Sequence, residues 1–293
     1  MEDKWTTHIS SKQSLWKIDY KELWHYRDLL LLLIRRDIVT TYKQTIFGYA
    51  WYLIQPLFTA VIFTLIFNVI ANINPDDNIN PFLFNLAGIT IWNYFKDCFT
   101  ATSETYRTNQ YIFKSVYFPR VIAPISTVIS KIVMLVMQLF IFSGFYFYFK
   151  LFTDNANGVS PSISLVFFVF LILIVAILGL GLGMIGASIT SKYRDFSFFI
   201  SFGIQLLMYA SAVMYPLSLI KDKAANGELS KIAELFIIYN PISIIIETFR
   251  YMVFGIGEIT PFIITYLVFF SVSVFFFGMI VFNKTGKKFI DTV

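Results

Sequence analysis

The sequence predicts an all-α integral membrane protein. Six transmembrane helices, an N-terminal amphipathic interfacial helix and two re-entrant half-helices before the last span make up the fold. Three observations predict it. Hydrophobic residues make up 57% of the 293 and charged residues only 14%, with a mean hydropathy of +0.69, whereas ordinary soluble domains carry about 25% charged residues. Phe alone occurs 34 times, more apolar surface than a soluble core can hide, so lipid must cover it. Long apolar runs alternate with short polar turns, and Lys and Arg collect in every second turn.

Residues 1–28 are polar and mixed in charge, without the apolar centre and small-residue cleavage site of a signal peptide. Tyr20 to Lys43 reads as an interfacial helix. Its run Leu29 to Ile34 is far too short to span, since about 20 residues are needed. Lys21, Asp28, Arg35 and Lys43 share one face, with Leu23, Leu30, Ile34 and Ile38 opposite and Leu29 and Leu32 intruding on the polar side. The six spans follow at about 48–70, 82–101, 121–149, 163–187, 196–215 and 260–282. The chain thus divides into a cytoplasmic segment 1–47, a transmembrane domain 48–282 and a basic tail 283–293.

Lys and Arg orient the spans. Sixteen lie in the N-terminal segment, the second and third inner connections and the tail; the opposite loops hold five. This places both termini in the cytoplasm, as an even number of spans requires. Residues 216–259 are not a simple loop. Leu229 to Ile238 and Ile242 to Phe254 are apolar runs of half-span length, divided by Asn240-Pro241 and closed by Gly255 and Gly257. Residues 229–257 therefore read as two re-entrant half-helices, a backbone tolerated at that depth only against protein or a water-filled cavity.

Several chemistries are excluded. One cysteine, Cys98, supports no disulfide or cysteine metal site, and His8 and His25 form no ligand cluster. The basic residues follow the loops, so the charge of +5 signals no nucleic acid. Gly181, Gly183 and Gly186 match the dinucleotide pattern but lie within a span with no strand before them. Gly179, Gly183 and Ala187 instead allow a close helix approach. No G-x-x-x-x-G-K-[ST] loop exists; Gly286-Lys287 is followed by Lys288. No catalytic constellation of paired carboxylates or Ser/His/Asp is present.

Ionisable residues inside membrane segments are functional candidates. Glu247 and Arg250 stand three apart and can pair, either facing a path or locking the half-helices together. Asp97 and Lys131 are expected to form a structural pair, and Lys96 to snorkel. Among the aromatics, Tyr49, Trp51 and Tyr52 cluster at the inner end of span one. Phe198, Phe202, Gln205 and Tyr209 share one face of span five. Rings beside an amide suit a sugar chain; ordinary helix packing explains the spacing equally well.

The segment Arg36 to Pro56, with Tyr42, Thr45, Gly48, Trp51 and Pro56, resembles the entry to the first span of type-2 ABC exporter permeases. The branch is the one exporting lipid-linked polysaccharides: O-antigen, capsule and teichoic acid. Phe47 stands where the family usually has Leu. Lys192-Tyr193-Arg194-Asp195, and Asn240-Pro241 through Glu247 and Arg250, fit the same branch. The resemblance implies a homodimeric permease of the bacterial cytoplasmic membrane, working with two copies of a separate ABC ATPase that holds the ATP and Mg; this chain then carries no cofactor. It implies that 20–43 is a gate helix and about 106–118 a coupling helix. Within the latter, Arg107 and Lys114 are polar anchors and Tyr111, Ile112, Phe113 and Tyr117 apolar ones. It also implies an aromatic-lined path between protomers, to which Tyr49, Trp51, Tyr52, Gln55 and the span-five group belong. The substrate is expected to be an undecaprenyl-linked polysaccharide. The alternatives are export of a small drug or lipid, or, in another class, an ion-coupled transporter, for which the expected internal repeat is missing.

Overall fold

The computed structural model describes residues 24–42, 48–75, 79–152, 161–255, 257 and 259–292, and their regular structure is all helical. Among them, four helices are long and apolar enough to cross a membrane: Trp51–Ile70, Ile122–Phe152, Ile163–Thr190 and Pro261–Gly286. The bent pair Lys231–Ile238 and Pro241–Phe254, with 59° between its arms, raises the number to five if counted as one span.

In chain order, α1 (Arg27–Tyr42) precedes a 3-10 turn at Gly48–Ala50 and α2 (Trp51–Phe63), which runs on as a π-helix over Thr64–Ile70. Then come α3 (Pro81–Ser103), the short α4 (Thr105–Thr108) and α5 (Gln110–Ser115), α6 (Ile122–Phe152), and α7 (Phe168–Thr190) with a 3-10 lead-in from Ile163. The rest is α8 (Phe196–Tyr209), α9 (Leu217–Ala225), α10 (Lys231–Ile238), α11 (Pro241–Phe254) and α12 (Pro261–Thr292).

Of the interfacial helix expected over 20–43, residues 20–23 and 43 fall outside the described set. The packed face of α1 overlaps the expected one, with Leu30, Ile34 and Ile38 half-buried and Asp28 and Arg35 exposed, but it is turned toward Leu29 and Leu33. It lies against α6 and seats Tyr26, Leu29, Leu30 and Leu33, the last only 1% exposed. Their spacing of three, four and seven is that of one helix face. Leu29, expected on the polar side, is therefore a packing residue. The same face carries on to Arg36, whose Nε and Nη2 donate to Asp37 Oδ1 at 3.0 and 2.7 Å. Pairing the two charges explains how a charged turn sits on a packed face.

The second expected span, α3, has 23 residues, about 35 Å at 1.5 Å per residue, yet lacks the hydropathy of the other four. Position is the reason. It packs against α2, α6, α7 and α11, and all but one of Leu83 to Phe95 are buried. A helix wrapped by other helices need not be uniformly apolar. Its start is set by Asn80, whose Oδ1 accepts from Phe82 N–H at 2.9 Å, with Pro81 at the first helical position.

Glycines weld the centre together. A Cβ on Gly179 would stand 2.8 Å from Cys98 Cβ, and one on Gly186 2.5 Å from Ser103 Oγ. Gly183 faces Thr102 as closely. On the other side of α7, a Cβ on Gly181 would stand 2.7 Å from Phe275 Cα, and Gly278 lies against the Gly181 carbonyl. The apparent dinucleotide motif is thus a two-sided small-residue seam joining α3, α7 and α12.

The fifth expected span is shorter than predicted. The helix stops at Tyr209 rather than Tyr215, leaving 14 residues, about 21 Å. The chain leaves the helix at Ala210, and Pro216, which has no N–H to donate, bars a helical continuation before the restart. The chain turns there and restarts as α9.

Candidate functional site

Arg250 occupies the break after α8. It lies on α11, which Asn240 caps by accepting from Ile242 N–H at 3.0 Å, and which ends at Gly255 with φ 74°. This packing leaves the Arg250 side chain 3% exposed. Its Nη1 donates to the Ala212 carbonyl at 2.6 Å and its Nη2 to the Val213 carbonyl at 2.6 Å. A third, longer bond runs from Nη2 to the Phe84 carbonyl at 3.3 Å, and the guanidinium lies 3.5 Å from the centre of the Phe84 ring. The carbonyls of the non-helical turn after α8 are thus met by Arg250. Gly88 makes room: a Cβ there would stand 2.6 Å from Val213 O and 2.7 Å from Arg250 Nη2. The expected Glu247–Arg250 pair is present but long, at 3.9 Å. The tie to α8 and α3 is therefore carried mainly by carbonyls, because the fork points at the turn rather than along its own helix.

The connector between α3 and α6 has two faces. Outward stand Tyr111, 82% exposed, with Lys114 and Tyr117. Arg107 is also outward, 3.4 Å from Glu104. Ile112 is half-buried. Phe113 is a correction to the expected docking set: it is buried, 5.8 Å from the Tyr106 ring and 5.6 Å from Phe118. It supports the outer residues from beneath. Tyr106 is 1% exposed, stacks on Phe282 at 4.5 Å, and donates its hydroxyl to the Phe282 carbonyl at 2.7 Å. A Cβ on Gly286, one turn further along α12, would stand 2.8 Å from that hydroxyl, so the glycine leaves the notch in which it sits. Burial pushes the Tyr106 phenol up from its ordinary value, against the opposing Arg120 charge, which keeps it a donor. The connector is therefore bolted to the C-terminal part of the last helix.

The aromatic groups lie on the outside of the chain. Phe198, Phe202, Gln205 and Tyr209 are all exposed along α8, Phe198 at 78%, so packing within this chain does not account for the stripe. Tyr215 donates to the Tyr209 carbonyl at 3.1 Å and closes the helix. On α2, Trp51 and Gln55 are exposed and Tyr52 half-buried; the Tyr49 side chain is outside the described set.

One polar cluster had no sequence signal. Asn85, fully buried, donates to Asn68 Oδ1 at 2.9 Å and Thr64 Oγ1 at 3.1 Å, and Asn68 donates to the Ile73 carbonyl at 2.6 Å. Residues 64 and 68 lie in the π-helix, a distortion that accompanies such internal polar contacts. Neighbours 17 and 21 residues apart have no local periodicity to announce them.

Comparison with known proteins agrees with this architecture. The ABC-2 type transporter family profile matches residues 28–254. Two O-antigen export system permease proteins RfbA from Klebsiella pneumoniae are each 26% identical, over 274 and 265 residues, each alignment covering 90% of this chain and 94% of the relative. One of the same name from Myxococcus xanthus is 24% identical over 207 residues, 71% of this chain and 75% of its own.

Proposed function

The chain belongs to the ABC-2 type transporter family, and on that premise we propose that it is the permease of an ATP-driven exporter of lipid-linked polysaccharide, of the O-antigen kind, across the bacterial cytoplasmic membrane. The observation that carries this reading is the match to O-antigen export permeases along 90% of the chain. Two features support it. The sequence has no phosphate-binding loop, so the energy arrives through contact with a separate ATPase. The exposed faces of α2 and α8 carry rings and amides rather than aliphatic residues alone, which suits a sugar chain moving past them.

On this reading two permease chains and two ATPase chains form the complex, with ATP and Mg on the latter. Six passes are made up by counting α3 and α8 with the four long helices, and α10 and α11 are the re-entrant pair. Both termini face the cytoplasm. The outward face of α4 and α5 receives the ATPase, and the stripe on α8 with Trp51, Tyr52 and Gln55 flanks the path between protomers.

The test is genetic and biochemical. Depleting this chain should remove long-chain surface polysaccharide while lipid-linked polymer accumulates inside. Unaltered surface polysaccharide on depletion would overturn the substrate class, and export without any ATPase partner would overturn the transporter class.

A further inference from the structure

The inner half of α3 opens on one side only. Asn93, Lys96, Asp97 and Thr100 follow at spacings of three, four and seven, so they share one face. All four are partly exposed, as is Phe99, whereas the neighbouring Trp92, Tyr94, Phe95 and Cys98 are buried. Lys96 Nζ donates to Asn93 Oδ1 at 3.3 Å and stands 4.0 Å from Asp97 Oδ1.

Lys131 on α6 belongs to the same place. It shares a helix face with Thr127, Leu135 and Gln138, which are at most 9% exposed, so it points inward, yet it is itself partly open. It lies within electrostatic range of Asp97, as does Tyr52 of α2. The expected Asp97–Lys131 pair is not formed: the ion pair of Asp97 is with Lys96, and Lys131 makes none among the described residues. Two ammonium groups thus face one carboxylate. An uncompensated cation inside a membrane segment is costly, and such residues mark ligand sites or pathways.

Depth limits what the ligand is. Lys96 lies seven residues from the end of α3 and Lys131 nine from the start of α6, about 10 and 14 Å along the axes. Both ends meet the connector. That is the level at which a lipid headgroup passes into hydrocarbon.

We propose that Lys131 and Lys96, with Asn93 and Tyr52 beside them, form a binding site for a lipid-borne phosphate between α2, α3 and α6. Asp97 holds Lys96 in place and leaves Lys131 as the charge that meets the ligand. The site deepens the reading given under the proposed function, since it supplies a holding point for the lipid end of an exported glycolipid while the aromatic faces contact its sugars. An ordinary anionic phospholipid carries the same chemistry.

The experiment is a titration of the purified full-length protein, in phosphatidylcholine nanodiscs, with farnesyl diphosphate and with farnesol as the uncharged control. The diphosphate should bind and farnesol should not. Lys131→Gln should weaken binding about tenfold or more, as loss of a charge-assisted contact does, and Lys131→Arg should retain it. Thermal melting of both variants identifies a folding defect, and Lys96→Gln gives a second reading if Lys131→Gln melts early. Nanodiscs containing phosphatidylglycerol separate the two sources: competition assigns the site to bulk phospholipid, and undiminished binding assigns it to the carrier lipid. Equal affinity of wild type, Lys131→Gln and Lys96→Gln, or equal binding of farnesol, overturns the site. Binding through Lys131 in a chain whose depletion leaves surface polysaccharide intact would refute the export reading and leave the site standing.

Discussion

Replacing Arg250 with Leu separates two accounts of how α11 is tied to its neighbours. The leucine fills part of the space but donates nothing. The carbonyls of Ala212 and Val213, each 2.6 Å from a guanidinium nitrogen, lose those donors, while the Phe84 carbonyl lies within α3 and keeps its helical bond. Each buried acceptor left without a donor costs about 1–3 kcal/mol, so about 2–6 kcal/mol is at stake. That brackets the 3–5 kcal/mol typical of removing one partner from a buried charged contact. At about 2–4 °C per kcal/mol for chains somewhat smaller than this one, a loss of about 3–5 kcal/mol should lower the melting temperature of the detergent-purified protein by about 6–20 °C. Arg250→Lys keeps the charge but loses the fork, so it should fall between wild type and Leu. Glu247→Gln removes the charge of the 3.9 Å ion pair and leaves the carbonyl fork in place, so it should cost under a third as much. Equal losses from Glu247→Gln and Arg250→Leu would refute the carbonyl fork and make the ion pair the tie.

Other predictions follow from the same geometry. Gly181→Val places a side chain against the backbone of Phe275, which cannot yield, and should lower the folded yield in fluorescence-detected size exclusion by severalfold; Gly203→Val, with open space around it, should not. Phe202→Ala with Tyr209→Ala should cut surface polysaccharide sharply while leaving assembly with the ATPase intact, because both rings are exposed. Tyr111→Ala with Tyr117→Ala should release the ATPase on co-purification. Tyr106→Phe keeps the ring stack but loses the hydroxyl bond to Phe282, and should leave the ATPase bound while reducing export per ATP hydrolysed. Reporter fusions at Asn74 and Asn226 should read outside and those at Asn109 inside.

Length and hydropathy made the helical membrane fold legible, because lipid contact requires uninterrupted apolar runs. They worked for the helices that begin at Trp51, Ile122, Ile163 and Pro261, which face outward along much of their length. They were less informative for α3, whose Asn85, Lys96 and Asp97 are accommodated by surrounding helices, and for α8, whose end depends on an arginine 38 residues from Ala212. On α1 the charges marked the open side at Asp28 and Arg35, which are exposed, but not that Leu29 packs. At the candidate site, the residue types of the connector were visible in sequence, but not that Phe113 turns inward.

The arrangement of tight and loose contacts constrains how a push on the connector can travel. Tyr106 joins the connector to Phe282, one turn beyond Gly278, which abuts Gly181 on α7. Gly183 and Gly186 of α7 press in turn on Thr102 and Ser103 of α3, and Thr190 donates to the Ser103 carbonyl at 2.8 Å. The chain of contacts closes on itself, because Ser103 leads directly back into the connector. Small-residue seams of this kind leave little room for sliding. A displacement at Tyr111 therefore moves α3, α7 and α12 as one block. Relative motion that opens a path is then expected outside this block, at α2 and α8, which are not part of the glycine seam. Those are the helices that carry the aromatic residues proposed to meet the sugar.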